Sequence, residues 1–397
     1  MLKRPVYLDY NATTPCDPRV VEAMLPFFTE AFGNAASRHH PYGWAAEEAV
    51  DQAREQVAQL IGAEPGEIIF TSGATEAVNL ALKGVFELYA SKGNHIITSI
   101  LEHKAVLDTC KHLEKLGARI TYLPVDHEGH ISLEALEAAI TPQTILVAIM
   151  YANNETGIIN PIQEISAIAH RHQLIMMSDA TQAVGKIPVQ VNHDGIDLLA
   201  LSAHKLYGPK GTGALYVRRK GPRVRLTAQM DGGGHEKGFR SGTLNVPGIV
   251  GLGKAAALCA GEMTADANRL SALRNQLEAA LLQIEATNVN GSTKQRLPHV
   301  TNISFDYTES QTLLMSINKD IAVSSGSACT SASMEPSYVL KAMGLPDHLA
   351  HAALRFSLGR FTTSEEIRFV IDHITSAVAA LRAVSPLWQL HKDATTE

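Results

Sequence analysis

The residues with the most chemical promise close the stretch Leu199-Ala-Leu-Ser-Ala-His-Lys-Leu-Tyr-Gly-Pro-Lys-Gly211, where an apolar run gives way to Ser202, His204 and Lys205 before Gly208-Pro209 forbids a helix. That order predicts Lys205 at the mouth of a buried strand. Poor hydration there disfavours the ammonium form, lowers the pKa and frees the amine to condense with a carbonyl. Taken alone, the same residues read more simply as a surface lysine before a turn. The carbonyl that such a lysine naturally serves is that of pyridoxal phosphate (PLP), which makes three further demands on a protein.

The first demand is a carboxylate that keeps the pyridine nitrogen protonated. Met177-Ser-Asp-Ala-Thr-Gln182 offers Asp179 at a strand end, although an acidic residue there is also an ordinary turn former. The second is a phosphate cradle. Phe70-Thr-Ser-Gly-Ala-Thr-Glu-Ala77 supplies a strand, a tight turn at Gly73 and a helix head at Thr75, whose free N–H groups and dipole favour an anion. The third is a proton carrier and an anchor for the substrate. His103, in Leu101-Glu-His-Lys104, titrates near neutrality. Arg355, in Leu354-Arg-Phe-Ser357, places a charge in an apolar strand pattern, a costly position unless an anion pairs with it. Cys329 lies in Val323-Ser-Ser-Gly-Ser-Ala-Cys-Thr-Ser-Ala-Ser333, where no bulky residue locks the chain. A mobile loop of that kind can carry a thiol to a cofactor and then present it outward. Each signal is weak singly; together, in this order and at strand mouths, they reinforce one another.

Positioning these residues needs a sheet whose strands end on one side. From Glu67 onward, strand patterns at Ile68-Phe70, His95-Thr98, Arg119-Leu123, Ile145-Ile149, Leu174-Met177, Leu198-Leu201 and Ala214-Val217 alternate with helical ones. That alternation predicts an α/β fold with a mainly parallel, seven-stranded sheet covered on both faces and ligands beyond the carboxyl ends of its strands. Upstream, helices are expected over Asp17 to Thr29 and Tyr42 to Gly62. A glycine-rich loop spans Gly232 to Thr243, and a long helix starting after Pro247 is expected to carry the chain out of the first domain near Ala260. The division is therefore a large domain over 1–260, with its first ~15 residues able to pack on the other unit, and a smaller α+β domain over 261–397 bearing Cys329.

With 397 residues, 45% apolar, 19% charged and a net charge of −6, the chain suits a large globular core and argues against bulk nucleic-acid binding. The local basic run Arg218 to Arg225 reads first as a solvated turn and second as a docking patch for an acidic partner. No segment has the pattern of a signal peptide or membrane span, so a cytoplasmic location is the default expectation. Cys16, Cys110, Cys259 and Cys329 show no CxxC spacing, and His103, Cys110 and His112 do not share one helix face, so no metal site is expected. Gly251-Leu-Gly-Lys-Ala-Ala256 has the spacing of a dinucleotide loop but no strand before it, and is read as close helix packing.

The stretches Tyr7-Leu-Asp-Tyr-Asn-Ala-Thr-Thr-Pro15, Thr71 to Glu76, Thr98 to His103, Asn153-Asn-Glu155, Asp179 to Gln182, Ser202 to Lys205, Gly232 to Thr243 and Ser324 to Pro336 resemble the PLP-dependent cysteine desulfurases of the housekeeping iron–sulfur branch. The resemblance implies a fold type I PLP enzyme that converts L-cysteine to L-alanine, with Cys329 taking the sulfur as a persulfide. It implies that Lys205 attaches the cofactor, Asp179 pairs with the ring nitrogen, Gln182 meets the ring hydroxyl, and His103 stacks on the ring and moves protons. Ala74, Thr75, Ser202 and His204 would hold the phosphate, with Thr243 reaching it from the second subunit of a homodimer. Asn154 and Arg355 would hold the substrate. Implied partners are an iron–sulfur scaffold, sulfur carriers, and a frataxin-like protein or ferredoxin at Arg218 to Arg225. Two features depart from the pattern: Asn11 stands where housekeeping members carry a small hydroxyl residue, which keeps the nitrogen-fixation branch open, and the tail Leu390 to Glu397 is short and polar. A selenocysteine lyase or an aminotransferase of the same fold is the alternative, and neither reading settles the acceptor.

Overall fold

A computed structural model of the chain describes residues 2–325 and 335–396. The chain enters through β1 (Val6–Tyr7), then α1 (Pro18–Met24), α2 (Pro26–Thr29) and α3 (Pro41–Ile61). The single helix expected over Asp17 to Thr29 is two helices, because Pro26 has no N–H to continue the first ladder and begins the second. α3 stops where expected, with Gly62 in the left-handed region at φ 67°.

The alternating stretch follows as β2 (Ile68–Thr71), α4 (Ala74–Leu88), β3 (His95–Ser99), α5 (Lys104–Lys115), β4 (Arg119–Leu123), α6 (Leu133–Ala139), β5 (Thr144–Ala148), α7 (Ile162–Arg171), β6 (Ile175–Asp179), β7 (Leu198–Ser202) and β8 (Gly213–Val217). The seven strands β2 to β8 form one sheet in the order β2-β8-β7-β6-β5-β3-β4. All pairings are parallel except the two made by β8. Successive buried residues alternate between two apolar clusters: Phe70, Ile97, Val147, Leu199 and Leu201 face one, and Ile69, Ile96, Leu146, Leu198 and Ala200 face the other. A strand buried on both sides must be apolar throughout, which is why these segments read as continuous hydrophobic runs.

α8 (Val246–Leu281) then runs unbroken through the position where the sequence suggests a change of domain. Its first half, to Cys259, packs in the cluster beneath the large sheet, whereas Leu270, Leu273, Leu277 and Leu281 belong to a separate apolar cluster. The elements that follow are β9 (Thr287–Val289), β10 (Val300–Phe305), α9 (Ser310–Ile317), β11 (Ile321–Ala322), α10 (Tyr338–Ala342), α11 (Asp347–His351), β12 (Ala353–Ser357) and α12 (Ser364–Ala383); most of them build that second cluster, whereas α10 and α11 bury Val339, Leu340 and Ala350 in a smaller one with Leu101 and Ile158. The sheet here is antiparallel, in the order β12-β10-β9. α13 (Pro386–Thr396) runs through the polar tail from Leu390 onward, to which the sequence reading assigns no element. Its Trp388 and His391 pack on Tyr307, with ring centroids 5.4 and 4.7 Å away.

The N-terminal strand crosses between the two halves. β1 pairs in parallel with β11, Val6 opposite Ile321, and Val6 and Leu8 are buried in the second cluster. The residues that follow, Asn11 to Thr14, return to the large sheet.

Candidate active site

The sheet's parallel strands end around a cavity of about 530 Å³ lined by Thr75, His103, Asn154, Asp179, Gln182 and Lys205, among others. Ala74, Ser202 and His204 line it as well. Lys205 closes a short 3-10 turn, Ala203–Lys205, that follows β7 directly, so the amine emerges three residues beyond the buried strand. Its Nζ donates to the carbonyl oxygens of Asn11 and Ala12 at 2.5 and 2.8 Å.

Asp179 is the last residue of β6 and is buried. Both Thr181 N–H and Thr181 O–H donate to its Oδ1, which holds the carboxylate in place and leaves Oδ2 for a cationic partner. Gln182, on the turn beyond, donates from Nε2 to Asn11 O at 3.0 Å. His103 caps α5: its Nδ1 accepts from Ala105 N at 3.1 Å, so a neutral ring carries its proton on Nε2.

The opposite wall is a helix start. Gly73 is the N-cap of the fifteen-residue α4, and a Cβ at Gly73 would have Ser202 Oγ at 3.8 Å as its one near neighbour, pointing into open cavity. Gly213 on β8 approaches so closely that its own Cβ would lie 2.6 Å from Gly73 Cα, which fixes this turn against the sheet. The unpaired N–H groups of the first turn thus face a cradle that no side chain fills. His204 stands beside it with Nδ1 3.1 Å from Thr13 Oγ1. Burial, then the cations Lys205 and Lys210, push its pKa down to about 4, so it acts as a neutral hydrogen-bonding ring.

Asn154 lines the cavity with a side-chain Oδ1 that is buried and has no partner among the described residues. A buried acceptor of that kind calls for a ligand donor. Arg355 lies behind it rather than on the wall: Nη1 donates to Asn154 O at 2.9 Å, and Nη2 pairs with Asp9 at 2.7 Å. The anion needed by a buried arginine is therefore present in the chain itself. Thr243 is exposed and does not line this cavity. Cys329 lies outside the described residues.

The N-terminal segment is what residue-by-residue reasoning missed. Ala12 and Thr13 line the cavity, and Asn11 is 2% exposed at its edge. The one signal was a run of short polar residues, Asp9 to Thr14, directly after a strand. The basic run also needs correction: Arg218 is buried, donating to the carbonyls of Val191 and Ile196 and pairing with Asp197 at 2.9 Å, so it is no docking residue. Arg219, Lys220, Arg223 and Arg225 remain exposed.

The donor set fits PLP: a lysine at a strand mouth, a fixed carboxylate, and an anion cradle at a helix head across the same cavity. Comparison with known proteins agrees. Residues 6–370 match the class-V aminotransferase family. The cysteine desulfurase IscS of Anaeromyxobacter dehalogenans is 56% identical over 393 residues, covering 99% of this chain and 97% of that protein. The cysteine desulfurase IscS of Pectobacterium carotovorum is likewise 56% identical, over 98% of this chain and 97% of its own. Among solved structures, a NifS-like protein superposes with a TM-score of 0.88 at 38% identity, covering 94% of this chain and 99% of that one. A structure of SspA in complex with cysteine gives 0.79 at 37% identity, over 90% and 99%. The match along nearly the whole chain and the strand-mouth lysine agree: the chain belongs to the class-V aminotransferase family, among its PLP-dependent cysteine desulfurases.

Proposed function

We propose that the chain desulfurates L-cysteine to L-alanine and passes the sulfur to Cys329. The observation that carries this reading is the convergence of Lys205, Asp179, His103 and the Gly73 cradle on one cavity, with the unpartnered Asn154 amide beside them. The cysteine held by the related SspA structure supports the same substrate class. Bound PLP supplies an electron sink for the pair left when the Cα proton departs. Lys205 attaches the cofactor, Asp179 holds the ring nitrogen protonated, and Gln182 meets the ring hydroxyl. Ala74, Thr75, Ser202 and His204 bind the phosphate. His103 moves protons at the ring face, and Asn154, backed by Arg355, orients the substrate. The substrate's C–S bond breaks, its sulfur joins the Cys329 thiol, and carbon takes up the proton, so cysteine and one thiol become alanine and one persulfide.

Thr243, exposed in its own subunit, is suited to a partner's phosphate site in a homodimer. Leu25, Phe28, Phe32, Tyr42 and Trp44 are each more than half exposed around α1 to α3, an apolar surface that a second copy would cover. Scaffold and sulfur-carrier proteins of iron–sulfur cluster assembly are the expected acceptors, with an acidic partner on the exposed Arg219, Lys220, Arg223 and Arg225. Among the described residues no helix is long and apolar enough to cross a membrane, and a cytoplasmic setting fits the reading.

The test is one turnover of L-cysteine by the PLP-loaded protein, with the Cys329 peptide mapped by mass spectrometry and alanine counted. Persulfide on Cys329 matching the alanine supports the assignment. A keto acid in place of alanine, with no persulfide, would transfer it to aminotransferase chemistry.

A further inference from the structure

Asn11 departs from the housekeeping pattern, and the structure gives it more connections than any residue type at that position would need for packing alone. Its N–H donates to Ser357 Oγ at 2.9 Å on β12. Its carbonyl oxygen accepts from both Gln182 and Lys205. Its side chain spans a different pair: Nδ2 donates to Asn154 O at 3.0 Å, and Oδ1 meets His299 Nε2 at 2.9 Å. His299 is fully buried, and burial, with the cations Lys186, Arg274 and Arg355 nearby, lowers its pKa well below the usual value. The ring is therefore neutral, and because an amide oxygen can only accept, its proton is on Nε2. That bond fixes the Asn11 amide with its nitrogen toward Asn154.

We infer that Asn11 is a positioning residue for substrate: its side chain, held by His299, fixes the backbone at Asn154 and so sets where the Asn154 Oδ1, unpartnered among the described residues, stands in the cavity. Arg355 braces the same carbonyl from the other side. The backbone carbonyl of Asn11 meanwhile accepts from the Lys205 amine, so one residue spaces the Asn154 side chain from the lysine. The inference rests on the desulfurase reading, which makes cysteine the ligand. It concerns how tightly the substrate is held, not whether the cofactor loads.

Two substitutions in the PLP-loaded protein test it, each measured relative to wild type. Asn11→Ser keeps the backbone contacts and removes both side-chain bonds. KM for cysteine, and the dissociation constant of L-alanine read from the absorbance change, should each rise about tenfold, the scale of one or two lost hydrogen bonds. The kcat, the cofactor absorbance and the Tm should stay near wild type. Asn11→Asp still accepts from His299, but its second oxygen confronts the Asn154 carbonyl and binding should weaken. Protonating that carboxyl restores a donor, so alanine affinity should recover as pH is lowered. The charged or titratable groups around it are Asp9 in its own segment, Lys205 beyond β7, His299 before β10, and Arg355 on β12. An unchanged KM and alanine affinity in Asn11→Ser overturns the inference. So does a joint fall of kcat, cofactor absorbance and Tm, which would mark a merely structural role. If Asn11→Ser does not fold, Asn11→Asp decides through the presence or absence of recovery on acidification. Failure of the wild type to turn over cysteine would instead count against the functional reading itself.

Discussion

His103 and Glu102 are neighbours in sequence with opposite surroundings. His103 lines the cavity with Nδ1 occupied as a helix cap, so proton traffic must pass through Nε2. Replacing it by Gln should lower kcat by about 10²–10⁴-fold with cofactor absorbance retained, the range for loss of a proton carrier. A loss below tenfold in single-turnover kinetics would remove His103 from that role. Glu102 points the other way, into protein. Its Oε1 accepts from Ser99 and from Met150 N, while Oε2 is buried without a partner. Burial raises its pKa to about 8, with Asp179 adding repulsion against the donated hydrogen bonds. A carboxyl whose folded pKa lies above its unfolded value contributes stability that is complete below about pH 4.5 and lost as pH climbs toward 8. Glu102→Gln keeps the acceptor oxygen and cannot ionise. Its unfolding free energy, from denaturant titrations between pH 5 and 8, should fall less steeply than that of wild type. Nothing in the sequence marks Glu102 as buried, because its partners include Met150 N on its carboxylate and Tyr338 on its backbone carbonyl, both far along the chain.

At the scale of elements, the large sheet was legible because every strand buried on both faces leaves an uninterrupted apolar run, and local periodicity is the property a sequence displays directly. The boundaries moved by only a residue or two. The decoy at Gly251 is also a packing feature: a Cβ on Gly253 would fall 2.5 Å from Ala53 Cα, so α3 and α8 meet backbone to backbone there. Gly253→Val should cost about 1–3 kcal/mol or more of stability by overpacking, seen as a lower Tm, while KM for cysteine stays unchanged. Gly73→Ala acts differently. Its methyl would enter the cradle at the head of α4, and Gly73 lies at φ 155°, where a side chain is strained, so PLP affinity, measured by equilibrium titration, should drop and the Tm of the cofactor-free protein should fall with it. The break between α1 and α2 and the presence of α13 were less legible. The first needed the proline weighed above the periodicity, and the second depends on Trp388 and His391 finding Tyr307, a contact between distant segments.

For the molecule as a whole, what the sequence concealed are the long-range pairings. Asp9 neutralises Arg355 across 346 positions, so the arginine that reads as a substrate anchor already has an anion and the Asn154 carbonyl as partners within the chain. The exposed aromatic surface belongs to the same scale. If it is covered in a dimer, Phe32→Glu with Trp44→Glu should shift the protein to monomer in sedimentation velocity and weaken PLP binding, since Thr243 could no longer reach a second site. Dimer retention by that variant would exclude this surface. The crossing of β1 to β11 carries a further consequence, for biosynthesis. The residues that close the cavity, Asn11 to Thr13, are made roughly 300 residues ahead of Ile321 and Ala322, with which the strand preceding them is paired. At roughly 5–20 residues per second they wait about 15 to 60 s for that partner. The nascent chain therefore carries its strand-mouth lysine and the cradle at Gly73 long before β11 exists to hold the segment that finishes the pocket.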